Sequence, residues 1–211
     1  MSYGIRKEVT ARPHRGRPFS VFFLLLVMFL AIGAAVGLWK GCKVFFNFLS
    51  RETRYDKLIV EAGKRNMVDP ALLKAVIWRE SKYNASEVGG KGEIGLMQIM
   101  PRRAASDWAR VKKYPLPSAG ALYDPELNIE IGSWYLGRAL RRWRNFKESI
   151  PLALCEYNAG LTRAKKWQPE TSTGEVMERI QINSTKQYVK DILERYQKYK
   201  KEWKDRKQCL S

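Results

Sequence analysis

The chain has 211 residues, with 39 Lys and Arg against 21 Asp and Glu for a formal charge of +18, and is 45% hydrophobic and 12% aromatic. That length holds one globular unit plus an appendage, and the supply of large apolar side chains excludes wholesale disorder. The charge asks for an anionic partner without choosing among nucleic acid, acidic lipid and acidic glycan, while three Cys and one His exclude a dense disulfide scaffold and a zinc finger. Any catalysis therefore rests mainly on carboxylates, hydroxyls, amides or lysine.

Residues 1–18 set Arg6, Lys7, Arg12, Arg15 and Arg17 against Glu8, a basic flank expected to stay in the cytoplasm. Phe19 to Trp39 then runs 21 residues without a charge, which at ~1.5 Å per residue matches the ~30 Å hydrocarbon core of a bilayer. The segment 19–39 reads as a transmembrane signal anchor, with the rest of the chain on the far side. A cleaved signal peptide, using small residues between Ala31 and Gly37, is the competing reading and would make the protein secreted. A lipoprotein signal ending at Cys42 fits less well, because Trp39, Lys40 and Gly41 precede it.

Residues 40–54 read as a juxtamembrane connector. From Tyr55 the pattern is helical, with Leu58, Ile59 and Ala62 at helical spacing up to Asn66. Asp69 as N-cap and Pro70 at the first helical position open the next helix, which reads through Tyr83. Gly89, Gly90, Gly92 and Gly95 make a flexible loop with possible short pairing, followed by an apolar segment ending at Pro101. Further helices are expected at 102–111, 125–143, 151–160 and 185–203. The fold class is mainly α, with the globular domain at 55–199 and a basic tail at 200–211.

In the helix opened by Pro70, the series Leu72, Val76 continues to Glu80. A carboxyl stands where an i, i+4, i+8 pattern expects a hydrophobe. A buried carboxyl holds its proton more tightly, as a general acid must; the alternative is an ordinary surface glutamate near a helix end.

After Glu80-Ser81 come Gly95-Leu96-Met97-Gln98-Ile99-Met100-Pro101 and, further on, Glu156-Tyr157-Asn158-Ala159-Gly160. With Asn128-Ile129, Gly132 and Tyr135-Leu136 between them, and Thr185-Lys186-Gln187-Tyr188-Val189 after them, the chain resembles the lytic transglycosylases of the goose-type lysozyme superfamily over roughly residues 55–199. Each short motif is weak alone; five in one order are not. The resemblance implies a lysozyme-like fold, Glu80 as catalytic acid and base with Ser81 supporting it, and a glycan groove lined by Gln98 and Met100. It also implies that Tyr157 hydrogen-bonds to or orients Glu80 and that Asn158 faces the sugar. The methionines alternatively fill the core, Gln98 alternatively stabilises the loop, and Tyr157 and Asn158 alternatively belong to a helix cap with Gly160 as its left-handed residue.

The implied reaction cleaves the β-1,4 bond between N-acetylmuramic acid and N-acetylglucosamine in peptidoglycan and leaves a 1,6-anhydromuramoyl end, with no cofactor and no metal. The implied setting is the bacterial inner membrane, with a single pass through 19–39 and the domain on the periplasmic side. Its partners are peptidoglycan glycan strands and the membrane, no nucleic acid is expected, and no protein partner is encoded. The short domain favours an open groove and endo-cleavage. The rivals are a hydrolase using a second acid from Glu93, Asp107 or Asp124, and a membrane-tethered glycan-binding protein without turnover. Two departures stand out. Gly89-Gly90 occupies the place of a loop serine that often gives the sugar a hydrogen bond, and Cys155-Glu156 replaces a pair of alanines. Cys155 as a reactive thiol has no base, since His14 is cytoplasmic in this topology. No disulfide can be read from Cys42, Cys155 and Cys209.

Overall fold

Asp69 accepts a hydrogen bond from the Ala71 backbone N–H at 2.8 Å, and this cap with Pro70 behind it launches the central helix of the protein. The computed structural model describes residues 19–208; His14, Cys209 and the basic flank 1–18 lie outside the described residues. The helices are α1 (Phe19–Arg54), α2 (Asp56–Asn66), α3 (Pro70–Ser81), α4 (Ser106–Lys112), α5 (Pro125–Trp143), α6 (Ser149–Ala159), α7 (Leu161–Trp167) and α8 (Asn183–Gln208). A π-helical turn at Pro101–Ala105 and 3-10 turns at Gly120–Tyr123 and Met177–Arg179 fill the connections. Among the described residues there is no strand, only isolated antiparallel pairings of Ile94 with Val88 and with Ile99 in the glycine loop. The mainly α reading stands.

Two units can be separated, one ending at Asn47 and one beginning at Phe48. The first carries the apolar part of α1, where Leu25–Cys42 is long and apolar enough to cross a membrane. Its side chains are bare: Phe29 and Leu38 are each 76% exposed. The connector 40–54 is itself helical, because nothing between Trp39 and Arg54 breaks the run and α1 continues through it.

In the second unit α3 packs against α8 and α2, α5 against α6 and α2, and α6 against α7 and α8. Every residue of α3 from Ala71 through Ile77 is buried, the pattern of a helix enclosed on all sides. Leu73, Val76, Ile77, Leu136, Leu152, Val189 and Ile192 have no exposed surface, and each such side chain contributes about 1.5–3 kcal/mol by leaving water. Lys74 sits in this interior with an ion pair to Asp56 at 2.5 Å and the rings of Tyr199 and Trp203 each 5.3 Å from its Nζ, so its charge is compensated rather than stranded.

Several boundaries differ from the sequence reading. α3 stops at Ser81, not Tyr83, because Lys82 and Tyr83 turn to positive φ (50° and 62°); the turn lets Tyr83 bury its ring and share a 2.7 Å hydrogen bond with the Tyr199 hydroxyl. α7 was not expected, since Gly160 hides a restart after α6. Gly160 has φ 86° but ψ 157°, so it is not a left-handed helical residue; this extended positive-φ conformation is essentially confined to glycine. α8 begins before Thr185 and continues past Trp203 into the basic tail, to Gln208.

Candidate active site

The stripe Leu72, Val76, Glu80 is buried for its first two members, 1% and 0% exposed, and ends in a half-buried Glu80. Its Oε1 accepts a hydrogen bond from the Tyr188 hydroxyl at 2.6 Å, across the contact between α3 and α8. Burial strips hydration from the carboxylate and dominates, pushing the Glu80 pKa up to about 7; the Tyr188 hydrogen bond and the Arg79 charge oppose it, and the negative charge of Glu93 adds to it. Burial and the Glu80 charge raise the Tyr188 phenol well above its ordinary range, so Tyr188 stays a donor. A carboxyl poised near neutrality can give a proton and take one back.

Tyr188 is the partner of Glu80 that sequence reasoning passed over. The signal was available: Thr185, Tyr188, Val189 and Ile192 recur at helical spacing and all are buried, so the Tyr of that segment faces inward toward α3. Tyr157, expected to hydrogen-bond to or orient Glu80, donates its hydroxyl proton to the Met97 carbonyl at 2.8 Å. A phenol has one proton, and a backbone carbonyl outside any helix takes it. Tyr157 remains near the carboxyl, whose charge joins burial in raising its pKa, and Tyr135 packs edge-on at 5.8 Å.

The Ser81 hydroxyl is turned into the protein. Ser81 is 5% exposed, with its hydroxyl 2.9 Å from the Leu96 carbonyl and 3.2 Å from that of Ile77. It fastens the end of α3 to the Gly95–Pro101 segment and thereby positions Glu80. Gln98, Met100, Tyr157 and Asn158 line one groove of about 330 Å³ together with Glu93 and Arg163. Three larger cavities, about 660, 530 and 350 Å³, include none of the six expected site residues. Gln98 has a positive φ of 50° and spends its amide N–H groups on the carbonyls of Gly95 and Glu87 at 3.0 and 3.3 Å, so it stabilises the loop and also lines the groove. Asn158 accepts from the Thr185 hydroxyl at 2.8 Å, which fixes its amide at the groove edge. Leu96 and Met97 are core residues with no exposed surface.

Asn128 holds the loop in shape. Buried to 1% exposure, it donates to the Ile94 and Leu122 carbonyls at 2.8 and 2.7 Å and accepts from the Met97 N–H at 2.8 Å. Its side chain presses on Gly95, which has φ 81° and no room for a Cβ, and Met97 presses likewise on Gly132. These motif residues therefore build the wall behind the site.

The other acids have structural duties. Asp107 pairs with Arg138 at 3.1 Å and Arg110 at 3.4 Å, and Asp124 caps α5 by accepting from the Leu127 N–H at 2.9 Å. Glu93 is the one of the three rivals that lines the groove. Glu156, 2% exposed, accepts from Trp143 Nε1 at 2.8 Å and Arg142 Nε at 3.2 Å, locking α5 to α6. Cys155 has no exposed surface and burial pushes its thiol up to about 12, so it is an inert core residue, not a nucleophile. Among the described residues no cluster of three His, Cys, Asp or Glu side chains is arranged to hold a metal.

Residues 57–180 match the family model of the transglycosylase SLT domain. The chain belongs to that family. It is 35% identical over 147 residues to a soluble lytic murein transglycosylase of Escherichia coli K12, covering 66% of this chain and 22% of that protein. It is 36% identical over 87 residues to a membrane-bound lytic murein transglycosylase C of Edwardsiella ictaluri, covering 41% of this chain and 24% of that one. Its fold superposes on the X-ray structure of an inactive mutant of the lytic transglycosylase Slt from Pseudomonas aeruginosa with a TM-score of 0.64 and 26% identity, over 72% of this chain and 25% of that one. The chain thus spans about a quarter of the length of these transglycosylases.

Proposed function

We propose that this SLT-family chain is a peptidoglycan lytic transglycosylase that cleaves the N-acetylmuramic acid β-1,4 N-acetylglucosamine bond and leaves a 1,6-anhydromuramoyl end. The observation that carries the reading is the protonatable, half-buried Glu80 carboxyl bonded to Tyr188, close in charge terms to two groove residues, Glu93 and Tyr157. Protonated Glu80 donates to the bridging oxygen. The C1–O bond breaks, N-acetylglucosamine leaves with a restored 4-hydroxyl, and an oxocarbenium-like centre remains at C1. The ionised Glu80 then takes the proton of the muramoyl C6 hydroxyl, whose oxygen closes onto C1. No water is consumed, and Glu80 ends as it began.

One carboxylate suffices because the nucleophile belongs to the substrate. Ring closure within one sugar gains the large effective molarity of a tethered reactant, so no second acid is needed to position water. Tyr188 steadies Glu80 between its two proton transfers. The relatives named as lytic murein transglycosylases support this substrate class.

The apolar stretch Leu25–Cys42 and the likeness to a membrane-bound relative support a chain tethered by α1, and the basic residues between Arg6 and Arg17 favour a catalytic unit on the periplasmic face of the inner membrane. Glu93 in the groove keeps a hydrolase reading in play, since it is a second carboxylate near the site. Glu80→Gln separates catalysis from binding: the variant is expected to fold and to release no muropeptides from purified sacculi. Undiminished release would remove Glu80 from the mechanism.

A further inference from the structure

The glycine loop turns at Gly89, beside the groove. A Cβ there would lie 2.5 Å from Glu93 Oε2 and 2.6 Å from Gln98 Oε1, so the tips of these two flexible side chains would have to move away. The turn is closed by the Gly89 N–H donating to the Glu93 carbonyl at 2.8 Å and the Gly92 N–H donating to the Gly89 carbonyl at 3.1 Å. The missing side chain at 89 is what allows the Glu93 carboxylate to fold back over the loop.

In that position Glu93 Oε2 accepts from the Lys91 N–H at 2.8 Å, and Oε1 has no hydrogen-bond partner among the described residues. Gln98 gives its N–H groups to Gly95 and Glu87, which leaves its Oε1 as a second acceptor. Lys91, Arg103 and Arg163 line the same groove, yet no ion pair among the described residues joins them to Glu93. One Glu93 oxygen and the Gln98 amide oxygen, both left without a protein donor in one groove, match a ligand that brings the donor itself.

We propose that the Glu93 carboxylate accepts a hydrogen bond from an N–H or O–H group of the glycan, and that Gly89 is required because a side chain there displaces it. Glu93 is thus a glycan-binding residue of the groove. The proposal rests on the peptidoglycan reading above.

Its test is a double-variant cycle on the full chain in detergent, carrying Glu80→Gln so that nothing is cut, with cosedimentation on purified sacculi as the readout. Loss of a charge-assisted hydrogen bond predicts that Glu93→Ala weakens binding about tenfold or more. Glu93→Gln keeps a carbonyl acceptor and recovers most of it. Gly89→Ser weakens binding in the presence of Glu93 and has no such effect once Glu93 is Ala. Binding by Glu93→Ala within about twofold of the parent, a difference near the limit of such assays at ~0.4 kcal/mol, overturns the proposal. So do independent, additive effects of the two substitutions. If Gly89→Ser does not fold, the Ala and Gln variants at Glu93 still decide. Cutting by the parent is scored separately: its absence counts against the transglycosylase reading and leaves the binding result standing.

Discussion

The Tyr188 hydroxyl donates to Glu80 Oε1 at 2.6 Å, joining the last turn of the central helix to a residue 108 positions later in the chain. The bond favours the ionised carboxylate while burial disfavours it, and the balance leaves Glu80 able to cycle its proton near neutral pH.

Tyr188→Phe removes the hydroxyl and keeps the ring. The Glu80 pKa should rise, so the alkaline limb of the pH–rate profile, set by loss of the acid's proton, moves to higher pH. Turnover should fall about tenfold or more as the carboxyl loses its anchor, in the range of a positioned acid–base group. Turnover at several pH values on purified sacculi checks both; an unshifted limb would detach Tyr188 from the acid.

The same raised pKa makes a stability prediction. A carboxyl with a folded-state pKa of about 7 against an ordinary 4.5 binds more protons folded than unfolded between those values. Its stabilising contribution is complete below pH 4.5 and is lost as pH rises through 7. Glu80→Gln cannot ionise, so it should be more stable than the parent above pH 7, by about 1–3 kcal/mol. Thermal unfolding at acid and alkaline pH reads this directly, and an equal gap at both ends would contradict it.

Glu156→Ala should destabilise the fold by about 2–4 kcal/mol, because it leaves the buried Trp143 indole N–H without its acceptor and Arg142 without its partner. Glu156→Gln, which keeps an acceptor, should cost less. Denaturant midpoints order the three proteins.

Asn128→Ala strips three hydrogen bonds from the loop in one step and leaves their backbone partners unmet, at about 1–3 kcal/mol each before relaxation or water entry. Amide exchange across residues 94–99 should accelerate and activity should fall with it. Retained protection there would show that Gly95 and the Ile94 pairings hold the loop alone.

What the sequence made legible follows from range. The Asp69-Pro70 start of α3 depends on neighbours in the chain, as does the unbroken apolar run of α1, and both could be read. Glu80 was legible because it interrupts a helical stripe of Leu72 and Val76. The partners of Glu80 were not, since Tyr188 and Tyr157 can each reach a carboxyl and only packing decides which proton goes to Glu80 and which to Met97. Ser81 reads in the sequence as a support for Glu80, but its own partner is not legible there, because the segment around Leu96 folds over it and claims it. The early end of α3 came from Tyr83 seeking Tyr199, a contact invisible to any local rule.

Mass spectrometry of the muropeptides released from purified sacculi tests the central claim most directly. Single-carboxylate catalysis by Glu80 predicts 1,6-anhydromuramoyl ends from the parent chain and none from Glu80→Gln. Reducing muramoyl ends would mean that water is the nucleophile, and would pass the decisive role to a second carboxylate such as Glu93.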